Sequence, residues 1–253
     1  GDILGVKGGD KESLGSRDLI YVTHKSIADD VPVGASLLID DGEIELTVIS
    51  REGDTLIAKV VNDGIIGSFK SVNIPDVPID LPSITERDEM FIRWAVEQNL
   101  DFVAHSFVRS KDDVMAVQRI IDECGGHLKI ISKIENREGV DNIDSILEHT
   151  YGVMVARGDL GVEIPLERIP IVQRTIIKKC VEAKKPVIVA TQMLQSMISN
   201  PRATRAEISD IAGAIYQRAD ALMLSGETAS GRYPVEAVRT MARVASRIEQ
   251  DTY

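Results

Sequence analysis

Two short stretches of the chain contain the residue types of a metal site that handles phosphate. Lys133 and Glu135 lie two positions apart, directly after the largely apolar run 129–132. Asp159 follows a second apolar run, 151–155. Such runs, bounded by turn residues, are typical of strands buried in a parallel sheet, where side chains two positions apart share one face. One ammonium and two carboxylates would then converge, and a divalent cation would let both carboxylates stay ionised.

The composition restricts the classes of protein to which the chain can belong. Its 253 residues carry a net charge of −11 at pH 7, which argues against nucleic acid or an anionic membrane as a partner. No run of roughly eighteen apolar residues is present, so no membrane-spanning helix is expected. Two isolated cysteines, Cys124 and Cys180, predict reduced thiols rather than a disulfide framework or a cysteine-based zinc site. These features predict a cytoplasmic protein.

Residues 1–74 have the pattern of a small all-β domain. Short runs rich in β-branched residues are separated by turns of Asp and Gly, and they span 19–22, 37–39, 44–49 and 56–61. We therefore predict an antiparallel barrel or sandwich. Three prolines then stiffen a connector over residues 75–82.

From residue 83 to residue 253 the pattern changes to alternating strands and helices. Five apolar runs that end in polar residues are predicted strands, spanning 102–107, 130–134, 152–155, 187–190 and 221–224. Capping boxes at Ser83–Glu86 and Thr204–Glu207 and a proline at position 234 are typical of helix starts. The alternation indicates βα units and a parallel sheet.

Polar residues at the carboxyl ends of successive strands favour a (β/α)₈ barrel, whose active sites lie at that face. An open doubly wound sheet is the alternative, but the chain lacks a Gly-x-Gly-x-x-Gly phosphate turn. A closed barrel needs eight strands and typically about 250 residues for the barrel alone. We therefore expect residues 83–253 to form part of a barrel, and the chain to be a segment of a longer protein.

Four motifs closely resemble those of the pyruvate kinase family. They are Ile-Ser-Lys-Ile-Glu-Asn at 131–136, Met-Val-Ala-Arg-Gly-Asp-Leu-Gly at 154–161, Ala-Thr-Gln-Met-Leu at 190–194 and Met-Leu-Ser-Gly-Glu-Thr at 223–228. The resemblance implies a TIM-type barrel, α/β in class, of which only strands 4–8 are present. Residues 1–74 would be most of an inserted lid domain, incomplete at its start. The resemblance also implies a homotetramer acting in glycolysis, with any K⁺ ligands outside this chain.

The reaction that the resemblance implies is transfer of a phosphoryl group from phosphoenolpyruvate to ADP, which yields pyruvate and ATP. Glu135 and Asp159 correspond to the ligands of a divalent metal, Mg²⁺ or Mn²⁺, and Mg²⁺ in particular suits a site with two carboxylates. Lys133 corresponds to the catalytic lysine that meets the phosphoryl group and the bound substrate. Backbone N–H groups around Gly158 and Asp159 correspond to a site for the substrate carboxylate.

Three further residues acquire roles from the same resemblance. Thr191 corresponds to a hydroxyl near the substrate's methyl carbon, where it would bind substrate and join a proton relay that includes Ser225. Lys70 corresponds to a lysine that reaches the nucleotide phosphates, although Ser71 stands where the family usually has glycine.

Two other functions stay open at this point. One is a magnesium-dependent carbon–carbon lyase on a similar barrel, which would need the metal site but neither the role of Lys133 nor the lid. The other is a non-enzymatic relative that keeps only the fold. The role of Arg157 is open between loop support, a subunit contact and function, and His105 is open between a core position and a supporting one. We also expect the 253 residues alone to be inactive.

Overall fold

The computed structural model describes residues 1–40, 42–77, 79 and 82–252. The chain divides into two compact units. The small unit comprises Gly1–Leu81 and Val162–Ile164, and the large unit comprises Pro82–Gly161 and Pro165–Tyr253. Within the part described, no helix combines the length and apolar character needed to cross a membrane.

The small unit contains a six-stranded sheet with a short helix, α1 (Ile27–Asp30). Its strands are β1 (Ile3–Gly8), β2 (Leu19–Val22), β3 (Ser36–Ile39), β4 (Ile44–Glu52), β5 (Thr55–Val60) and β6 (Val72–Asn73). They lie in the order β2-β1-β5-β4-β3-β6. The sheet has one apolar face, because alternate side chains of β3, β4 and β5 are buried.

The prediction of a wholly antiparallel small domain was wrong in one respect, because β1 and β2 pair in parallel. Both β1 and β6 were missed in the sequence. Glycine weakens the strand signal of β1, and a Cβ at Gly5 would lie 2.9 Å from Leu19 Cδ1, so a larger residue there would require that side chain to move. β6 has only two residues, too few for a recognisable alternation.

The large unit contains five parallel strands, which confirms the predicted βα architecture. They are β7 (Phe102–His105), β8 (Lys129–Ile134), β9 (Gly152–Ala156), β10 (Val187–Ala190) and β11 (Ala221–Leu222). Each strand pairs with the next one along the chain, as successive strands do in a (β/α)₈ barrel. All five residues of the central strand β9 are buried, whereas Phe102 on the edge strand β7 is 51% exposed.

Nine helices of the large unit are described. They are α2 (Glu86–Glu97), α3 (Lys111–Glu123), α4 (Arg137–Asp141), α5 (Ile143–His149), α6 (Arg157–Glu163), α7 (Ile169–Ala183), α8 (Arg205–Tyr216), α9 (Gly226–Ala229) and α10 (Pro234–Thr252), with α6 continuing past the boundary of the unit. The Thr204–Glu207 capping box and the helix start at Pro234 are confirmed. The box predicted at Ser83–Glu86 was wrong, since Thr85 caps α2 through Asp88.

The domain limits 1–74, 75–82 and 83–253 stay a prediction. Pro78, Asp80 and Leu81 of the connector lie outside the described residues.

Candidate active site

The predicted site residues of the large unit all lie at the carboxyl ends of its parallel strands. Lys133 is the penultimate residue of β8, and Glu135 follows that strand directly. Gly158 and Asp159 lie in the first turn of α6, which begins where β9 ends. The remaining two residues follow β10 and β11; they are Thr191 and Ser225. Because the strands pair in parallel and in sequence, these positions gather along one edge of the sheet.

Lys133 and Glu135 form an ion pair, as their spacing predicts. Lys133 Nζ lies 2.7 Å from Glu135 Oε1 and also donates to Ser106 Oγ at 3.1 Å. The other carboxylate oxygen, Oε2, accepts from the backbone N–H of Phe107 at 2.7 Å. The Glu135 side chain is only 1% exposed, and a buried carboxylate needs such partners to stay charged. The pair therefore places a fixed negative charge and a neighbouring positive charge at the strand ends.

The contribution of Phe107 was not predictable from its side chain, because its backbone N–H is the donor. Phe107, two residues after the end of β7, adopts a left-handed conformation with φ of +53°. This turn brings its N–H to the end of the neighbouring strand β8.

Gly158 and Thr191 come together at the ends of β9 and β10. The two strands pair with Ala156 opposite Ala190, so the residues that follow also approach each other. A Cβ at position 158 would lie 2.9 Å from Thr191 Cγ2. A larger residue at this position would therefore have to displace the Thr191 side chain, whose methyl group lies against Gly158.

Thr191 has an unusual backbone conformation, with φ of +75°, and the next residue, Gln192, has φ of +56°. Left-handed conformations are costly for non-glycine residues, above all for a β-branched one such as threonine. Strained backbone of this kind is found disproportionately at functional sites. No pattern in the sequence predicted it.

Ser225 is held by Glu227, whose role was missed in the sequence. Glu227 Oε2 accepts from the Ser225 N–H at 2.8 Å, and its Oε1 accepts from the Leu194 N–H at 3.1 Å. The side chain is 1% exposed. Glu227 thereby connects the loop that follows β10 to the loop that follows β11. The acidic residue in the motif at 223–228 was the only signal available.

Arg157 is mostly covered within the large unit and contacts the turn at Thr191. Its side chain is 13% exposed and forms an ion pair with Asp210 of α8 at 2.8 Å. Of the alternatives left open, loop support is the one that these contacts favour.

His105 lies at the end of β7 and is only partly exposed. Its Nε2 is 3.3 Å from the Ser83 carbonyl oxygen, while Nδ1 has no hydrogen-bond partner among the described residues. Burial lowers the pKa of His105, although the Ser83 carbonyl and the carboxylates of Asp113 and Asp88 act in the opposite direction. The neutral imidazole is thus favoured.

Lys70 belongs to the small unit and forms an ion pair with Asp40 at 2.7 Å. Its side chain is 42% exposed, so the ammonium reaches solvent. That Lys70 contacts the nucleotide phosphates stays a prediction.

The donor set at the strand ends fits a hard divalent cation. Glu135 and Asp159 supply carboxylate oxygens, and Mg²⁺ is commonly held by one or two carboxylates together with water and substrate oxygens. Among the described residues, no group of three or more His, Cys, Asp or Glu side chains could hold a metal.

A family model and individual relatives of known function both match this chain, and both are pyruvate kinases. The family model described as pyruvate kinase, barrel domain, matches residues 6–238. The chain is 50% identical over 242 residues to the pyruvate kinase of Clostridium acetobutylicum, covering 95% of this chain and 51% of the relative. It is 52% identical to the pyruvate kinase of Bacillus licheniformis, covering 94% and 41%. For Borreliella burgdorferi pyruvate kinase the identity is 50%, covering 97% and 53%. The chain thus spans about half the length of the curated relatives it matches.

Proposed function

Because the chain belongs to the pyruvate kinase family, we propose that the whole protein transfers the phosphoryl group of phosphoenolpyruvate to ADP, yielding pyruvate and ATP. The observation that carries this proposal is the ion pair of Lys133 with the buried Glu135 at the end of β8, together with the approach of Gly158 to Thr191 at the ends of β9 and β10. A phosphorylated acid needs fixed positive charge near the moving phosphoryl group and oriented groups near its carboxylate and methyl carbon. The ends of β8, β9 and β10 would supply these groups, because the three strands are neighbours in one sheet.

Lys133 is the group suited to the phosphoryl transfer itself. Phosphoryl transfer relies mainly on positioning and on charge placed where negative charge accumulates. Glu135 and Ser106 hold the Lys133 ammonium in place, so little reorganisation is needed when the phosphoryl group arrives. The chain as a whole carries a net charge of −11, so an anionic substrate would depend on the Lys133 ammonium and on a bound cation for attraction at this site.

Glu135 and Asp159 would hold the divalent metal, Mg²⁺ or Mn²⁺. When bound there, the cation supplies Lewis-acid polarisation of the substrate's oxygens. Gly158 and Asp159, in the first turn of α6, would orient the substrate carboxylate through backbone N–H groups.

Thr191 and Ser225 complete the proposal for the large unit. The Thr191 hydroxyl would face the methyl carbon of the product and pass a proton to it with the help of Ser225. A hydroxyl is a weak acid, so the proton would come through a relay and not from Thr191 alone. Lys70 of the small unit would bind the nucleotide phosphates. We further propose that the whole protein is a cytoplasmic homotetramer. Any ligands of K⁺ would lie outside the 253 residues of this chain.

Substitution of Lys133 tests this assignment in the full-length protein. Lys133→Met keeps the length of the side chain and removes its charge. We expect phosphoryl transfer to ADP to fall by at least about 10²–10³-fold. Exchange of the methyl protons of pyruvate, followed by NMR in D₂O, should remain measurable because no phosphoryl group moves in that step.

Lys178→Met is the matched control, because Lys178 on α7 forms an exposed ion pair with Glu182. It should leave both activities unchanged. If Lys133→Met abolished both activities while the variant stayed folded and still bound the metal, Lys133 would be the acid–base group. The separate roles of Lys133 and Thr191 would then be wrong.

A further inference from the structure

The turn after β10 needs support from outside itself. Thr191 and Gln192 adopt left-handed conformations in succession, and neither is glycine. Gln192 is exposed, so packing of its side chain does little to hold this backbone. A conformation this costly persists only where surrounding contacts determine it.

Arg157 supplies those contacts. Its Nε donates to the Ala190 carbonyl at 3.1 Å, and its Nη2 donates to the Thr191 carbonyl at 2.6 Å. These carbonyls belong to the two peptide planes that flank the Thr191 Cα. One rigid guanidinium that binds both planes fixes φ and ψ of Thr191 together, because those two angles set the relative orientation of the planes. Nη2 also lies 2.9 Å from Met193 Sδ.

The guanidinium is itself fixed from the other side. Nη1 pairs with Asp210 at 2.8 Å and lies 3.4 Å from Gln173 Oε1. Gln173 is buried on α7, and its Nε2 donates to Gln217 Oε1 at 3.1 Å. Arg157 thus joins the start of α6 to the end of β10 and to helices α7 and α8.

We propose that Arg157 is a positioning residue, which holds the Thr191 turn in its left-handed conformation and so directs the Thr191 hydroxyl. This inference rests on the proposed function insofar as it concerns activity. This role requires the N–H groups on both edges of the planar guanidinium. A lysine ammonium in its place cannot bind two carbonyls and Asp210 in the same planar arrangement.

The test uses Arg157→Lys alone and combined with Gln192→Gly, in the full-length protein. A catalytic group displaced by about 1 Å typically loses on the order of 10²-fold in rate, so we expect kcat to fall by about that much. The KM for phosphoenolpyruvate should change by less than about threefold, because Lys133, Glu135 and Asp159 are untouched. Glycine adopts left-handed conformations without strain, so Gln192→Gly should restore kcat of Arg157→Lys by roughly tenfold. In the parent protein Gln192→Gly should have little effect.

A second readout does not depend on activity. With ¹³C-methyl-labelled threonine, the Thr191 methyl resonance should shift or broaden in Arg157→Lys and return toward its parent position in the double variant. Arg93→Lys is the control, since Arg93 pairs with Glu89 and Glu123 on the α2–α3 surface. It should leave the resonance and kcat unchanged.

The outcomes separate this inference from the proposed function. Normal kcat and an unmoved Thr191 resonance in Arg157→Lys would overturn the inference, as would a loss of kcat that Gln192→Gly does not restore. A full-length protein with no phosphoenolpyruvate activity would overturn the proposed function, while the methyl resonance would still report whether Arg157 holds the turn.

Discussion

Glu135 is a carboxylate with almost no solvent contact, and its charge is balanced by one ammonium and one backbone N–H. At the scale of single residues, this explains why Lys133 and Glu135 have to be considered together. Removing Lys133 would leave the buried Glu135 carboxylate with a single backbone donor, which is costly, whereas the Lys133 ammonium is partly exposed and depends less on its partner. The pair itself carries no net charge.

Neutralising either proposed metal ligand should weaken metal binding in the full-length protein. Glu135→Gln and Asp159→Asn each replace a charged hard-oxygen donor with a neutral one. We expect each to raise the Mg²⁺ concentration for half-maximal activity by at least about tenfold and to lower the maximal rate. Titration of activity with Mg²⁺ measures both the half-maximal concentration and the maximal rate. Electron paramagnetic resonance of Mn²⁺ measures metal binding directly.

Asp144→Asn is the control for these two variants. Asp144 forms an ion pair with Lys179 on the exposed surface of the large unit. Its substitution should not change the metal dependence. An unchanged Mg²⁺ requirement in both Glu135→Gln and Asp159→Asn would contradict the metal assignment.

At the scale of a single structural element, Glu207 stabilises the start of helix α8. Its carboxylate completes the capping box with Thr204 at the start of α8. It also accepts from the Ser196 N–H at 2.7 Å and from the Ser196 hydroxyl at 2.6 Å. The start of α8 is therefore attached to the loop that follows β10, the same loop that begins at Thr191.

This arrangement predicts a pH-dependent contribution to stability. Burial acts to raise the pKa of Glu207, but hydrogen bonds from Ser196 and Thr204 outweigh it and lower the pKa. A lowered pKa in the folded state stabilises the protein fully above the unfolded value, about 4.3 for glutamate, and this stabilisation is lost as the pH falls through the folded value. Glu207→Gln should therefore reduce the free energy of unfolding by about 1 kcal/mol at pH 7.

Denaturant unfolding at several pH values tests this expectation. The stabilities of the parent protein and Glu207→Gln should converge as the pH falls below about 4. Glu236→Gln, which alters an acidic residue in the first turn of α10, is the comparison variant. A difference for Glu207→Gln that stays constant down to pH 3 would show that its charge is not what stabilises the start of α8.

At the scale of the whole molecule, the sheet of the large unit has a buried centre and two edge strands that pair on one side only, within the described residues. The central strand β9 is buried along its full length, and the edge strands are β7 and β11. On β7, Phe102 is 51% exposed and contacts Tyr151, with ring centroids 5.8 Å apart. Parallel sheets normally have covered edges and faces, so this edge favours association with other chains.

We expect the 253-residue chain, expressed by itself, to self-associate and to lack phosphoenolpyruvate activity. Size-exclusion chromatography with light scattering measures the association. Phe102→Glu places a charge on the exposed edge and should reduce it, because edge charges oppose strand pairing. Leu166→Glu, at a position that is 72% exposed and outside the sheet, should not. A monomer with a sharp, cooperative melt would contradict this expectation.

Local geometry explains which features could be predicted from the sequence. The pairing of Lys133 with Glu135 follows from the period-two geometry of a strand, and the Thr204–Glu207 cap follows from the first turn of a helix. The five βα strands were recognisable because each is a short apolar run with polar residues at its end. In each case the deciding contacts lie within a few residues of one another.

Only the tertiary structure decided the contacts between distant parts of the chain. Arg157 reaches Thr191 and Asp210, which are 34 and 53 positions away, and Glu227 reaches Leu194, 33 positions away. The left-handed conformation of Thr191 contradicts its own backbone preference, so no local pattern could predict it. Likewise, β1 and β2 pair in parallel because the segment between them, residues 9–18, leads the chain back toward the start of β1. Local periodicity determines the elements, whereas the conformation of a strained turn depends on which side chains the fold brings against it.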